Sequence, residues 1–145
     1  MPDFRFFHPI EVRYADIDAQ GHVNNVCYFT YMETARAQYV QRLGLWDGKD
    51  FTDFGIILAD ASCTFKAPIH YGQPVRVGVR AVRLGNSSLD LNYTIQDAES
   101  GQEMATGRTI QVAYDYRQEL SIPIPETWRK SSSDARARPP RVPKR

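Results

Sequence analysis

The chain is poor in the residues that build covalent or metallic frameworks. Its 145 residues include only two cysteines, Cys27 and Cys63, and three histidines, His8, His22 and His70. Two cysteines are too few for a disulfide scaffold or a zinc site, so both are read as free thiols in or near the core. The histidines stand too far apart in sequence to suggest a metal site by spacing. No apolar run approaches the ~18–20 residues that span a bilayer. The start, Met1-Pro2-Asp3-Phe4-Arg5, lacks the basic and apolar stretches of a secretion signal, which makes the cytoplasm the expected location. Several catalytic motifs are also missing. There is no Gly-x-Ser-x-Gly elbow, no Gly-rich phosphate loop, no His-Glu-x-x-His and no Cys-x-x-Cys.

What is there fits one domain with a core: 42% hydrophobic residues, 12% of the chain aromatic. Net charge is +1, unevenly spread. Residues 129–145 hold seven Lys/Arg against one Asp, leaving the body of the chain acidic. A uniformly basic nucleic-acid binder does not look like this, so no nucleic-acid partner is expected. The reading is therefore a folded domain over residues 1–128. The basic, Ser- and Pro-rich tail 129–145 is expected to be disordered, because it has too little apolar surface to offset its ordering entropy.

Along the body, Ile10, Val12 and Tyr14 alternate with Glu11 and Arg13, which predicts a half-buried strand that Pro9 can start. The polar segment Asp16-Ile17-Asp18-Ala19-Gln20-Gly21-His22-Val23-Asn24-Asn25 follows as a turn. The period then changes. Tyr28, Tyr31, Met32, Ala35, Tyr39 and Leu43 recur at spacings of three and four, one apolar stripe of a helix. Asn24 or Asn25 is a suitable N-cap and Gly44 a suitable residue beyond the C-cap, so the helix spans about Asn25 to Leu43. Glu33 and Arg36, off that stripe, read as a surface or interface ion pair. Four alternating runs follow: Ile57 to Phe65, Val75 to Val79, Leu89 to Ile95, and Ile110 to Tyr116. Short links at Gly85-Asn86-Ser87 and Asp97 to Gly101 favour antiparallel hairpins. The order is β-α-β-β-β-β, an α+β domain whose single antiparallel five-stranded sheet must cover the helix's apolar stripe.

Chemistry concentrates between Asp16 and Asn25. Carboxylates stand just upstream of a helix start, where free N–H groups and partial positive charge can stabilise an oxyanion. A carboxylate a few residues earlier can reach the same carbonyl, as nucleophile or as base for a water. That arrangement suits hydrolysis of an activated acyl group. The bland alternative is that an Asp before a helix is a cap.

The run Arg13-Tyr14-Ala15-Asp16-Ile17-Asp18-Ala19-Gln20-Gly21-His22-Val23-Asn24-Asn25-Val26-Cys27-Tyr28, followed by Glu33-Thr34-Ala35-Arg36, resembles the 4-hydroxybenzoyl-CoA thioesterase-like branch of hotdog-fold proteins. The resemblance covers roughly residues 8–117 and includes Ala67-Pro68-Ile69-His70-Tyr71-Gly72-Gln73-Pro74-Val75. It implies a hotdog sheet wrapped around one helix, homodimers or homotetramers with interfacial sites, and hydrolysis of acyl-CoA with neither metal nor cofactor. It also implies that Asp18 is the catalytic carboxylate and that a backbone N–H at or near Asn25 polarises the thioester carbonyl. His22, Tyr14 and Tyr28 match further positions of the motif, His22 as a group that orients Asp18 or touches substrate. Asp16 is read as structural. Some members carry a basic turn before the fourth strand that meets CoA phosphates. Here that turn is Gly85-Asn86-Ser87-Ser88, leaving Arg83, Ser88 and Lys66 as the candidate contacts. The alternatives are a carrier-protein thioesterase and a non-catalytic acyl-binding module.

Overall fold

A computed structural model describes residues 4–130; of the tail expected over residues 129–145, all but the first two residues lie outside the described residues. The elements are β1 (Phe6–Ile10), α1 (Asn25–Arg42), β2 (Ile56–Phe65), β3 (Val75–Leu84), β4 (Ser88–Asp97), β5 (Glu103–Asp115) and a short β6 (Leu120–Ser121). The strands form one antiparallel sheet in the order β1-β3-β4-β5-β2, with β6 paired to β5. The sheet thus gains a sixth, two-residue strand that the sequence pattern does not announce. It is otherwise the expected hotdog arrangement, with α1 lying across the sheet over β3.

The helix ends where its sequence asks. The Asn24 side chain accepts the Val26 N–H at 2.9 Å, so Asn24 is the cap and Asn25 the first helical residue. Gly44 takes φ +77° just past the C-cap, a conformation costly for residues with a Cβ. Tyr28, Tyr31, Met32, Ala35 and Tyr39 are all buried against Val75, Val77, Val79, Leu91, Tyr93 and Ile95 of the sheet. Each large apolar side chain so buried contributes roughly 1.5–3 kcal/mol. At Gly107 of β5 the sheet has no side chain, and Met32 occupies that space; a Cβ there would overlap the Met32 sulfur.

Three expectations need correction. The first strand is Phe6–Ile10, four residues earlier than the alternation predicts, and Pro9 sits inside it. An edge strand tolerates Pro because its outer side needs no donor. Beyond Ile10 the chain turns. Val12 still drops into the core, but Tyr14–Asp16 form a 3-10 turn held by the Asp16 side chain. Second, β5 is reversed: Thr109, Gln111 and Ala113 are the buried series, while Ile110 and Val112 are half-buried. Third, the expected ion pair of Glu33 and Arg36 forms, but its Arg36 end does not lie on the surface of the chain. Arg36 is buried, donates to the Tyr93 hydroxyl at 3.2 Å, and lies 3.9 Å from the exposed Glu33.

The edge strand β2 is unusual. Ile57, Leu58 and Phe65 are 41%, 48% and 45% exposed, and a bulge follows Leu58. Its period of two is legible in the sequence, but its apolar face is largely uncovered within one chain. Residues 126–130 are helical, and Arg129, assigned by composition to the tail, donates to the Gly85 carbonyl at 2.6 Å. No helix among the described residues is long and apolar enough to cross a membrane.

Candidate active site

The polar segment ahead of α1 is tied down at both ends. An isolated bridge joins Ile17 to Val23, and the Asn24 N–H donates to the Asp16 carbonyl. Asp16 is the anchor. It is 1% exposed, and its carboxylate accepts from the Arg13 N–H at 3.0 Å, the Arg13 guanidinium at 2.7 Å and the Tyr31 hydroxyl at 2.7 Å. Burial pushes its pKa up, but these bonds outweigh burial and hold the carboxyl below the usual value. Burial and the same contact raise the pKa of the Tyr31 hydroxyl. Asp16 is thus saturated and enclosed, a structural group.

Asp18 is the opposite. It is half-buried, and its Oδ1 accepts the Gln20 N–H at 2.9 Å. No hydrogen bond reaches its Oδ2 among the described residues. It faces a cleft of about 470 Å³ that is also lined by Gln20, His22, Asn25, Tyr28, Phe65 and Lys66. Asn25 borders it as the first residue of α1. Asn24 occupies the Val26 N–H through its side chain and the Cys27 N–H through its carbonyl. Among the described residues, the Asn25 N–H is left as a free donor at the positive end of α1. A free carboxylate oxygen and a free helix-terminal N–H therefore border one opening.

The other predicted residues divide. His22 lines the cleft, with its ring edge-on to His70 at 5.0 Å. Tyr28 lines it from the first turn of α1; its hydroxyl meets the Ala67 carbonyl at 3.4 Å and its ring the edge of Phe65. Burial raises its hydroxyl pKa. Lys66 reaches the cleft but is paired with Glu103 at 2.7 Å. Tyr14 does not line the cleft. It is 83% exposed and packs edge-on against Tyr71 at 6.2 Å. Arg83 and Ser88 are also outside it, at the β3–β4 turn, with Ser88 paired to Val112 while the cleft's Phe65 pairs with Ala105 at the other end of β5. Phe65 and Gln20 are cleft residues that the sequence does not single out. Phe65 is visible there only as the last apolar position of a strand.

Both thiols are free and pushed up in pKa, Cys27 by burial and the neighbouring Asp16 carboxylate, Cys63 by burial to about 11. Neither resembles an activated nucleophile.

Residues 12–132 match the family model of the thioesterase-like superfamily. Among solved structures, a Thermus thermophilus thioesterase complexed with coenzyme A and zinc superposes with a TM-score of 0.82 at 32% identity, covering 96% of this chain and 99% of that one. A 1,4-dihydroxy-2-naphthoyl-CoA hydrolase of Thermosynechococcus vestitus is 27% identical over 128 residues, 85% of this chain and 87% of its own. An uncharacterized Bacillus subtilis protein, YsmA, is 30% identical over 109 residues, 75% of this chain and 72% of its own. The chain belongs to the thioesterase-like superfamily of hotdog-fold proteins.

Proposed function

We propose that this chain is a cytoplasmic acyl-CoA thioesterase in which Asp18 carries the chemistry. The observation behind this is that Asp18, with its Oδ2 free, and Asn25, with its N–H free, line the same cleft. A thioester carbonyl lying between them takes a hydrogen bond from Asn25 on its oxygen, where negative charge develops. The Asp18 carboxylate then attacks the carbonyl carbon or removes a proton from an attacking water. The C–S bond breaks and the thiolate leaves, taking up a proton. On the first route water then hydrolyses the mixed anhydride left on Asp18. On the second the attacking water supplies the acid's new oxygen directly, so both yield free acid, free thiol and the original carboxylate. His22 borders the same space and orients the carboxylate or the leaving group. The coenzyme A bound by the Thermus relative supports CoA as the carrier.

The free edge of β2 supports a homodimer. Pairing two β2 strands antiparallel would cover Ile57, Leu58 and Phe65 and satisfy the open ladder. It would also bring the end of the sheet that bears Arg83 and Ser88 toward the cleft of the second copy, so those two residues contact CoA only across the dimer. The carrier-protein alternative draws on the charge of the cleft: the cation that lines it, Lys66, is already held by Glu103. Comparing kcat/KM for one acyl group on CoA and on carrier protein decides between them.

The decisive variant is Asp18→Asn. It is expected to lower kcat on acyl-CoA by about 10²–10⁴, the usual scale for losing such a group, with an unchanged melting curve. Wild-type turnover by this variant would end the assignment. A wild-type chain that releases no thiol from a broad thioester panel would instead be an acyl-binding module.

A further inference from the structure

The turn that carries Asp18 is faced by a second loop, residues 66–74 between β2 and β3. Three contacts join them. The Val23 N–H donates to the Ile69 carbonyl at 2.8 Å. Next to that bond the imidazoles of His22 and His70 meet edge-on, with centroids 5.0 Å apart and planes at 88°. The exposed rings of Tyr14 and Tyr71 make a similar contact at 6.2 Å.

The second loop is itself braced. The His70 N–H donates to the Gln73 side-chain oxygen at 3.0 Å, and the His70 carbonyl accepts the Gln73 N–H at 3.1 Å. The Gln73 amide in turn donates to Asp97 at 2.9 Å, and the Ala98 N–H donates to the Pro74 carbonyl at 2.8 Å. Bonds from the Ser100 N–H and the Gln73 amide hold the Asp97 carboxyl down to about 2, so the brace keeps its charge at neutral pH. Both backbone polar groups of His70 are thus fixed to a strut that ends on the β4–β5 turn.

The ring of His22 has no such support of its own. It is half-buried and lines the cleft, yet among the described residues neither imidazole forms a hydrogen bond. No bond joins His22 to the Asp18 carboxylate, whose Oδ1 takes the Gln20 N–H. A ring on two rotatable bonds, without a polar partner, keeps its choice of rotamer unless packing removes it. An edge-on contact between π systems has a directional preference and supplies that restriction.

Resting on the thioesterase reading above, we infer that His70 is a positioning residue: it fixes the His22 ring at the cleft and acts on the reaction only through that ring. His70 is exposed and does not itself line the cleft. Its influence passes from the β4–β5 turn through Gln73 to one imidazole and from there to the other.

The test uses the ester that the wild type hydrolyses fastest among acetyl-, hexanoyl-, palmitoyl- and benzoyl-CoA, with release of thiol as the signal. His70→Ala should lower kcat by about 3- to 10-fold, the worth of one aromatic edge contact, with an unchanged melting curve. KM should stay within about twofold, since the lost interaction does not hold the substrate. His70→Phe keeps a ring against His22 and should recover most of the rate. In a His22→Ala background, His70→Ala should change kcat by less than about twofold, because the group it acts through is gone. Tyr71→Ala removes the adjacent ring contact and should leave kcat within about twofold of the wild type. Full activity of His70→Ala, no recovery with phenylalanine, a loss that persists without His22, or an equal loss in Tyr71→Ala overturns the inference while thioester hydrolysis stands. A wild type that releases no thiol from any of the four esters overturns the hydrolase reading for them and this inference with it.

Discussion

Two aspartates two residues apart illustrate how environment assigns roles. Asp16 has its oxygens filled by Arg13 and Tyr31 and no access to water, whereas Asp18 keeps one oxygen free at a cleft. Their substitutions should separate. Asp16→Asn weakens charge-assisted bonds and should destabilise by about 2 kcal/mol. Its pH dependence follows from the depressed pKa. The folded state binds the Asp16 proton less readily than the unfolded chain does. Its contribution is therefore complete above the ordinary carboxylate value and is lost as pH falls through the lower folded value. Thermal melts from about pH 6 down to about pH 2 should show a shallower acid decline in Asp16→Asn than in the wild type; equal slopes would contradict the anchor role. The sequence marks both aspartates through one motif, and it reads Asp16 as structural. It does not reveal the partner Tyr31, fifteen positions away, because that contact exists only once α1 packs. Gln111 is illegible for a related reason. It lies between Ile110 and Val112, and the alternation of apolar residues argues for the wrong face.

The elements are read best where a single cause sets them. α1 obeys its stripe and its caps, ending one residue before the expected Leu43. β3 and β4 bury the alternating residues Val75, Val77, Val79, Leu89, Leu91, Tyr93 and Ile95 as their period demands. At β1 and β5 the pattern misleads because tertiary context overrides local alternation: an edge tolerates Pro9, and β5 lies between two neighbouring strands with Ile110 and Val112 half-buried on its second face. The helix start also carries a prediction. Asn24→Ala removes the acceptor for Val26 and should cost about 1 kcal/mol. It should also lower kcat, since the turn then aligns the Asn25 N–H less firmly. Calorimetry with parallel kinetics checks this; a stability loss with unaltered kcat would detach the cap from the chemistry.

For the whole molecule, the exposed apolar edge of β2 is the feature that one chain leaves unresolved. Ile57→Lys puts a charge on that edge, a common way to block strand pairing. Light scattering should report a wild-type dimer and a monomeric variant, with kcat/KM reduced by about 100-fold or more, as expected when a reacting constellation loses its positioning. A fully active monomer would remove the pairing of β2 edges from the mechanism. The distance between the helical layer and the sheet has its own control point. Because Gly107 leaves a notch that the Met32 thioether fills, α1 comes down close on β5 at that point. One methyl group added at position 107 must displace that thioether, and Met32 must then repack within a core where it is 1% exposed. The aromatic rings of Tyr31, the preceding residue, and Tyr28, one turn back, would shift in response, and with them the aim of a carboxylate that no part of residue 107 touches. Tolerance to side-chain growth at this buried glycine is thus a remote gauge of how finely the reacting groups must be aligned.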